Sequence, residues 1–310
     1  MNVLVPRDGV PSAVTIGKFD GVHRGHRAVI DQLRARSHGA RVVVVTFDRN
    51  PLSVVDPSRV PDQVVSTSQK VEALKALGVD LVVVLPFTDD FRDLGAEEFV
   101  RTILVEGLSA TTVMVGRDFR YGKDGAGTVD TLIADSHSSG FEVVVVGDVC
   151  VDAGSERISS SLIRDALSIG DVERAAHLLG RPHSVRGEVV RGHQRGRELG
   201  YPTANLEEHC EGFVPAPGVY AGTLEVGGET YFAGISVGTN PTFTDVERLQ
   251  VEAHALDADF DAYGLTGTIT FTHRLRDTLK FDGVESLIAA MDQDILDIRE
   301  LMAAGELTLN

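Results

Sequence analysis

The sequence predicts two successive domains of different class: an α/β domain on a parallel sheet, then an antiparallel barrel or sandwich ending in a helix. Three observations predict it. Up to about residue 180, short valine-rich runs alternate with longer amphipathic stretches. From 185 to 273 the apolar runs become short and alternating, broken by Gly, Pro and Asn. A last amphipathic stretch, 284–303, has helical spacing.

In order, the strand-like runs of the first part are 13–17, 41–47, 80–87, 111–116 and 141–147. Unbroken β-branched runs such as VVVV suit strands buried on both faces. The helix-like stretches between them are 25–37, 68–77, 96–108 and 128–139. Strand–helix alternation at this spacing predicts a parallel sheet covered by helices. Beyond Ile158, the sets Leu162, Ile163, Ala166, Leu167 and Val172, Ala175, Ala176, Leu179 keep helical spacing, with Gly170 and Gly180 as stops and Pro182 after the second. Further on, EVGGET sets Gly-Gly between two alternating runs, a hairpin signal. The boundary is placed at 180, giving domains 1–180 and 181–310.

Composition narrows the partners. Of 310 residues, 43% are hydrophobic and 24% charged, ordinary for a globular protein. The formal net charge of −17 would repel a nucleic-acid backbone. A small anionic substrate is compatible with it only where positive groups or a metal gather locally. The two cysteines, Cys150 and Cys210, are far apart and suggest neither a metal site nor a disulfide framework, which suits a reducing cytoplasm. No secretion signal or membrane-spanning run is expected, and no oligomeric state is predicted.

The segment GKFDGVHRGH, residues 17–26, links the first strand to the first helix. Ligands of open parallel sheets bind at the carboxyl ends of strands, where helix N-termini offer free N–H groups to phosphate. His23 and His26 are three apart and share a face on a first helical turn. Together they can donate to a phosphate whose charge grows during substitution. Asp20 lies in the same loop, and Gly17, Gly21 and Gly25 permit close backbone approach. A single histidine in such a turn would be unremarkable; the coincidence of pair, glycines and context points to a site. The loop matches neither GxGxxG nor GxxxxGK[ST].

HRGH after a strand resembles the HxGH signature of nucleotidyltransferases, which act on nucleoside triphosphates. The longer TIGKFDGVHRGH resembles the bacterial bifunctional riboflavin kinase/FAD synthetase family. VGRDFRYGKDGAGTVDTL (115–132) resembles that family's flavin-side loop, which implies flavin contacts for Asp118 and Phe119. RISSSLIR (157–164) resembles its second nucleotide motif, which implies nucleotide contacts for Arg157, Ser159, Ser160, Ser161 and Arg164. Serines opening a helix also serve as plain caps. TFDRNP (46–51) resembles the TFxPHP stretch, with Asn50 standing where the family usually has His. Ser161 stands where Thr is frequent, a change that keeps the hydroxyl.

In the second part, GHQRGRELGYPTANL (192–206), APGVYAG (216–222), GISVGTNPTF (234–243) and VEAHALD (251–257) resemble the flavokinase domain in order, which implies a β-barrel. Thr203 and Asn205 would point to one face of a strand, and their oxygens suit Mg²⁺. Gly192, Gly196 and Gly200 make a loop able to cover phosphates, with Arg195 and Arg197 to offset their charge. Glu252 is the candidate general base for a primary hydroxyl; alternation makes it also a plausible outward polar residue. His254 on the same face reads as structural. Arg276 in LRDTLKF (275–281) resembles the family's loop near the flavin, with Thr278 replacing an acidic residue. Phe243, Tyr263 and Phe281 are candidate ring-packing residues.

The resemblance implies a Rossmann-like nucleotidyltransferase domain and a flavokinase barrel, both using ATP and Mg²⁺. Riboflavin would become FMN in the second domain and FMN would become FAD in the first. Two alternatives stay open: a kinase with a weak or altered adenylyl site, motivated by Asn50, and a non-catalytic flavin-binding protein.

Overall fold

The protein is described by a computed structural model covering residues 5–147, 150, 156–192, 200–239, 249–258 and 260–309. The chain divides into two compact units, Met1–Ser159 and Ser160–Asn310.

In the first unit, β1 (Ser12–Ile16), β2 (Arg41–Phe47), β3 (Leu81–Leu85), β4 (Ala110–Gly116) and β5 (Glu142–Val146) form a parallel sheet in the order β3-β2-β1-β4-β5. The expected strands are all present. Central β1 is buried at every position, because neighbours and helices cover it on all sides. Edge strand β5 is not, although it carries the VVVV run that β2 buries. Val145 is 41% exposed, so reading both-face burial from that run fails at the sheet margin.

The connections are α1 (Arg24–Ala35), a one-turn α2 (Leu52–Val55), α3 (Thr67–Ala76), a one-turn α4 (Asp89–Arg92), α5 (Ala96–Phe99) and α6 (Val129–Ser139). α5 runs on into a π-helical turn, Val100–Val105. Val14, Val43, Val113, Ile103 and Leu104 share one core with Phe91 and Phe99. A second cluster joins Phe19 and Val22 to Ile30, Val44 and Leu74. The loop after β1 is therefore anchored in the core by its own side chains.

The second unit opens with α7 (Ser160–Ser168) and α8 (Val172–Leu179), ended by left-handed glycines, Gly170 (φ 79°) and Gly180 (φ 77°). Both helices were expected in the first domain. They group with the barrel because α8 packs on β11 and β6. The strands β6 (His183–Val190), β7 (Ala204–Leu206), β8 (Gly218–Val226), β9 (Glu229–Thr239), β10 (Leu249–Ala255) and β11 (Thr266–Arg276) close into a barrel, β10-β7-β6-β11-β8-β9. The β8–β9 turn is Gly227–Gly228 with φ of 62° and 88°. Two positive φ values match the hairpin turn that follows strand twist, and only glycine takes both cheaply. α9 (Val284–Ala304) lies on the outside, burying Ile298 against Ala221, Leu256 and Leu307.

Candidate active sites

Between β1 and α1 the backbone takes left-handed φ at Phe19 (48°), Gly21 (80°) and Val22 (45°). For Phe and for β-branched Val this is strained. Burial of both side chains offsets the cost: Phe19 and Val22 are each 3% exposed. At Gly17 a Cβ would lie 3.1 Å from the Phe19 ring, so any larger residue would press on that ring.

The loop delivers His23 to the N-cap of α1, and the two histidines cap one another. The His26 N–H donates to His23 Nδ1 and the His23 N–H donates to His26 Nδ1, each at 3.3 Å. Their rings stack with centroids 3.6 Å apart. A backbone N–H can only donate, so both Nδ1 atoms are acceptors and both rings carry hydrogen on Nε2. Burial pushes the His26 imidazole well below its ordinary pKa, with His23 and Lys70 adding to the effect. Gly25 is buried in the first turn of α1. Asp20 serves the loop itself: its carboxylate accepts the Val64 N–H at 2.9 Å.

Lys70 of α3 escaped sequence reasoning. It is 5% exposed, and its ammonium donates to the carbonyls of Phe47 (2.8 Å) and Lys18 (3.4 Å). Its position in an otherwise ordinary amphipathic helix, TSQKVEALKA, gives no hint of burial.

Asp118 and Arg157, expected on the flavin and nucleotide sides respectively, form an ion pair at 3.7 Å. Phe119 stacks on Tyr121 and lines a concavity with Arg117, Asp118, Arg120, Thr128 and Asp130. Asn50 is used locally: its Oδ1 accepts the Leu52 N–H at 3.1 Å and starts α2. In the second unit α7 begins at Ser160, directly after Ser159, and Ser161 Oγ accepts from Arg164 at 3.2 Å.

The barrel brings Thr203, Asn205 and Glu252 together. Glu252 of β10 and Asn205 of β7 are partners across an antiparallel pair, which puts their side chains on one face. Thr203 Oγ1 lies 3.4 Å from Glu252 Oε2 and 3.1 Å from Asn205 Nδ2. Gln250, two residues before Glu252, donates to Asn205 Oδ1 at 2.9 Å; sequence reasoning missed it. Gly192 passes so close that a Cβ there would sit 2.4 Å from Asn205 Oδ1. His254 holds the Pro202 carbonyl at 2.8 Å through Nδ1.

Two cavities meet at this cluster. One, of about 300 Å³, is lined by Thr203 and Asn205 together with Leu224, Ala255, Phe260 and Tyr263. The other, of about 270 Å³, lies between barrel and α9 and is lined by Thr203 and Glu252 with Ile235, Arg276, Phe281 and Met291. Thr203 is common to both. Arg276 is part of the second wall, but its guanidinium is engaged by Asp294 at 2.7 and 2.8 Å. Asp294, 8% exposed, was not anticipated. Arg195, Gly196, Arg197 and Phe243 lie outside the described residues.

Comparison with known proteins identifies the family of both parts. The FAD synthetase family model matches residues 6–162 and the riboflavin kinase model matches 179–302. A bifunctional riboflavin kinase/FMN adenylyltransferase of Listeria monocytogenes is 38% identical over 96% of this chain and 94% of its own length. The enzyme of the same description from Pseudomonas fluorescens is 36% identical over 93% and 92%, and that of Escherichia coli K12 is 34% identical over 95% and 93%. A solved structure described as a macrolide-efflux protein from Streptococcus pneumoniae superposes with a TM-score of 0.84 over 96% of both chains at 33% identity. Among the described residues of this chain, no helix is long and apolar enough to cross a membrane. With both family models matched in order and relatives aligned over nearly their full length, the chain belongs to the bifunctional riboflavin kinase/FMN adenylyltransferase family.

Proposed function

We propose that the chain makes both flavin cofactors, phosphorylating riboflavin to FMN in the barrel unit and adenylylating FMN to FAD in the α/β unit. The observation that carries this reading is the junction at Thr203. A mainly apolar cavity holding Glu252 meets a second cavity holding Asn205, and the two residues are cross-strand partners. The cavity against α9 suits the flavin ring, and the other suits the nucleotide.

In the kinase step Glu252 takes the proton of the riboflavin 5′-hydroxyl as its oxygen attacks the γ-phosphorus of ATP, and the bond from that phosphorus to the bridging oxygen breaks to release ADP. Thr203 and Asn205 would hold the phosphates and a Mg²⁺ ion. A hydroxyl, an amide oxygen and a nearby carboxylate are hard donors of the kind Mg²⁺ takes, and the ion would supply positive charge to offset that of the phosphates. In the adenylyl step a phosphate oxygen of FMN attacks the α-phosphorus of ATP and pyrophosphate leaves. His23 and His26 each present an Nε2–H that stabilises the charge growing on the phosphates. Both steps rest on positioning and charge stabilisation, without a covalent enzyme intermediate. Placement in the cytoplasm belongs to the same reading and suits the two free thiols.

A second reading keeps the kinase and gives the adenylyl site reduced efficiency. It is favoured by Asn50, whose amide serves the α2 turn. The test is an end-point assay with riboflavin and excess MgATP, separating riboflavin, FMN and FAD. FMN followed by FAD supports both activities. FMN without FAD overturns efficient adenylylation and favours the second reading, under which Asn50→His should raise FAD formation while leaving FMN formation unchanged. Neither product overturns the proposal.

A further inference from the structure

We propose that Lys70 is a positioning residue of the adenylyl step, tying the loop after β1 to the end of β2 and holding a positive charge beside the histidine pair. The inference rests on reading the His23–His26 loop as the triphosphate site.

Burying an ammonium costs several kcal/mol unless it is hydrogen-bonded. An apolar side chain of similar length would fill the space without that cost. Here the charge is retained, and its partners are two backbone carbonyls, Lys18 and Phe47. Lys18 lies two residues after β1 and Phe47 ends β2, so both mark the sheet margin where ligands of such folds bind. Lys18 is held a second time: its carbonyl also accepts from the Thr46 hydroxyl at 3.0 Å. The lysine thus fixes the segment that carries Phe19, and Phe19 packs on the His26 ring with centroids 4.8 Å apart.

Carbonyls stabilise an ammonium without cancelling its charge. Asp20 and Asp48 act on it electrostatically, against the burial that lowers its pKa. Each carboxylate also has a backbone partner, Val64 N–H for Asp20 and Phe87 N–H for Asp48. The charged groups bearing on His26 are His23 across the stack and Lys70 from α3. In a chain of net charge −17, a built-in cation here favours an anionic ligand and opposes protonation of His26, keeping its Nδ1 an acceptor for the His23 N–H.

The test compares full-length Lys70→Met, Lys70→Gln and Lys70→Arg with wild type. Gln keeps a hydrogen-bond donor and loses the charge; Arg keeps the charge. Wild type is measured first, and absence of FAD formation there overturns the reading of the site itself. The readouts are kcat and KM for ATP in FAD formation, FMN formation as internal control, and His26 titration by NMR. In Met and Gln variants FAD formation should fall at least about tenfold, by the effect of a displaced or lost charge-stabilising contact. The His26 midpoint should rise and the acid limb of FAD formation should move to higher pH. FMN formation should be unchanged, and Arg should restore the His26 midpoint. A folded Met or Gln variant with wild-type FAD kinetics and an unmoved His26 midpoint overturns the proposal. If Met fails to fold, Gln alone decides.

Discussion

Glu252 and Asn205 stand directly opposite each other across the β10–β7 pair, with Thr203 Oγ1 within 3.4 Å of both side chains. That pairing separates the two activities experimentally. Glu252→Gln keeps the size of the side chain and removes the proton acceptor. FMN formation should drop by about 10²–10⁴-fold, while FAD formation from supplied FMN stays at the wild-type rate. Measuring the two half-reactions separately checks this, and loss of both would mean that Glu252 matters for folding instead.

Gly192→Ala tests how tightly that cluster is positioned. A methyl group 2.4 Å from Asn205 Oδ1 must push the amide aside. A displacement of that order costs about 10²-fold where geometry controls the rate. Kinase kcat should fall and its Mg²⁺ requirement should rise, with adenylylation of FMN unaffected.

His23 has two jobs that a single substitution can pull apart. Serine is a good N-cap, so His23→Ser should preserve α1 and the melting temperature. It lacks the imidazole, so FAD formation should fall by about 10²-fold or more. A large loss of thermal stability would show that capping, not the donor, is what the histidine supplies.

His183 makes the barrel acid-sensitive. It is 1% exposed, its Nε2 bonds the Phe213 carbonyl at 2.6 Å, and its buried Nδ1 has no partner among the described residues. Burial pushes its pKa down from 6.5 to about 4. The unfolded chain therefore takes up this proton at a higher pH than the folded one. The stability contributed is complete above about 6.5 and is lost as pH falls toward 4, amounting to roughly 3 kcal/mol. Urea unfolding at pH 7.5 and pH 5 should show about 2 kcal/mol of this loss, and His183→Gln should reduce it.

The repeating strand–helix rhythm made the parallel sheet legible, because buried valine runs and amphipathic helices have different periods. Gly227–Gly228 likewise announced its hairpin. His23, His26, Thr203, Asn205 and Glu252 were legible because each sits in a dense motif. The mutual capping of the histidines was not, since imidazoles are rare caps. Lys70, Gln250 and Asp294 were invisible for a common reason. Each lies on an ordinary amphipathic or alternating stretch, and only tertiary packing turns it inward. β5 misled in the opposite sense, since its composition says core while its place in the sheet says edge.

The ladder of the barrel closes without α9. The wall that α9 gives the cavity proposed for the flavin is attached by side chains: Ile298 in a small apolar cluster and Asp294 gripping Arg276. Residues lining that cavity from the helix, such as Met291 and Ile295, can therefore be exchanged without disturbing any strand pairing. Asn205 on β7 and Glu252 on β10 are locked into the sheet and have no such freedom. Evolution, or an engineer seeking an enzyme for modified flavins, can thus redraw the shape of the acceptor pocket from the helix while the chemistry stays where the strands hold it.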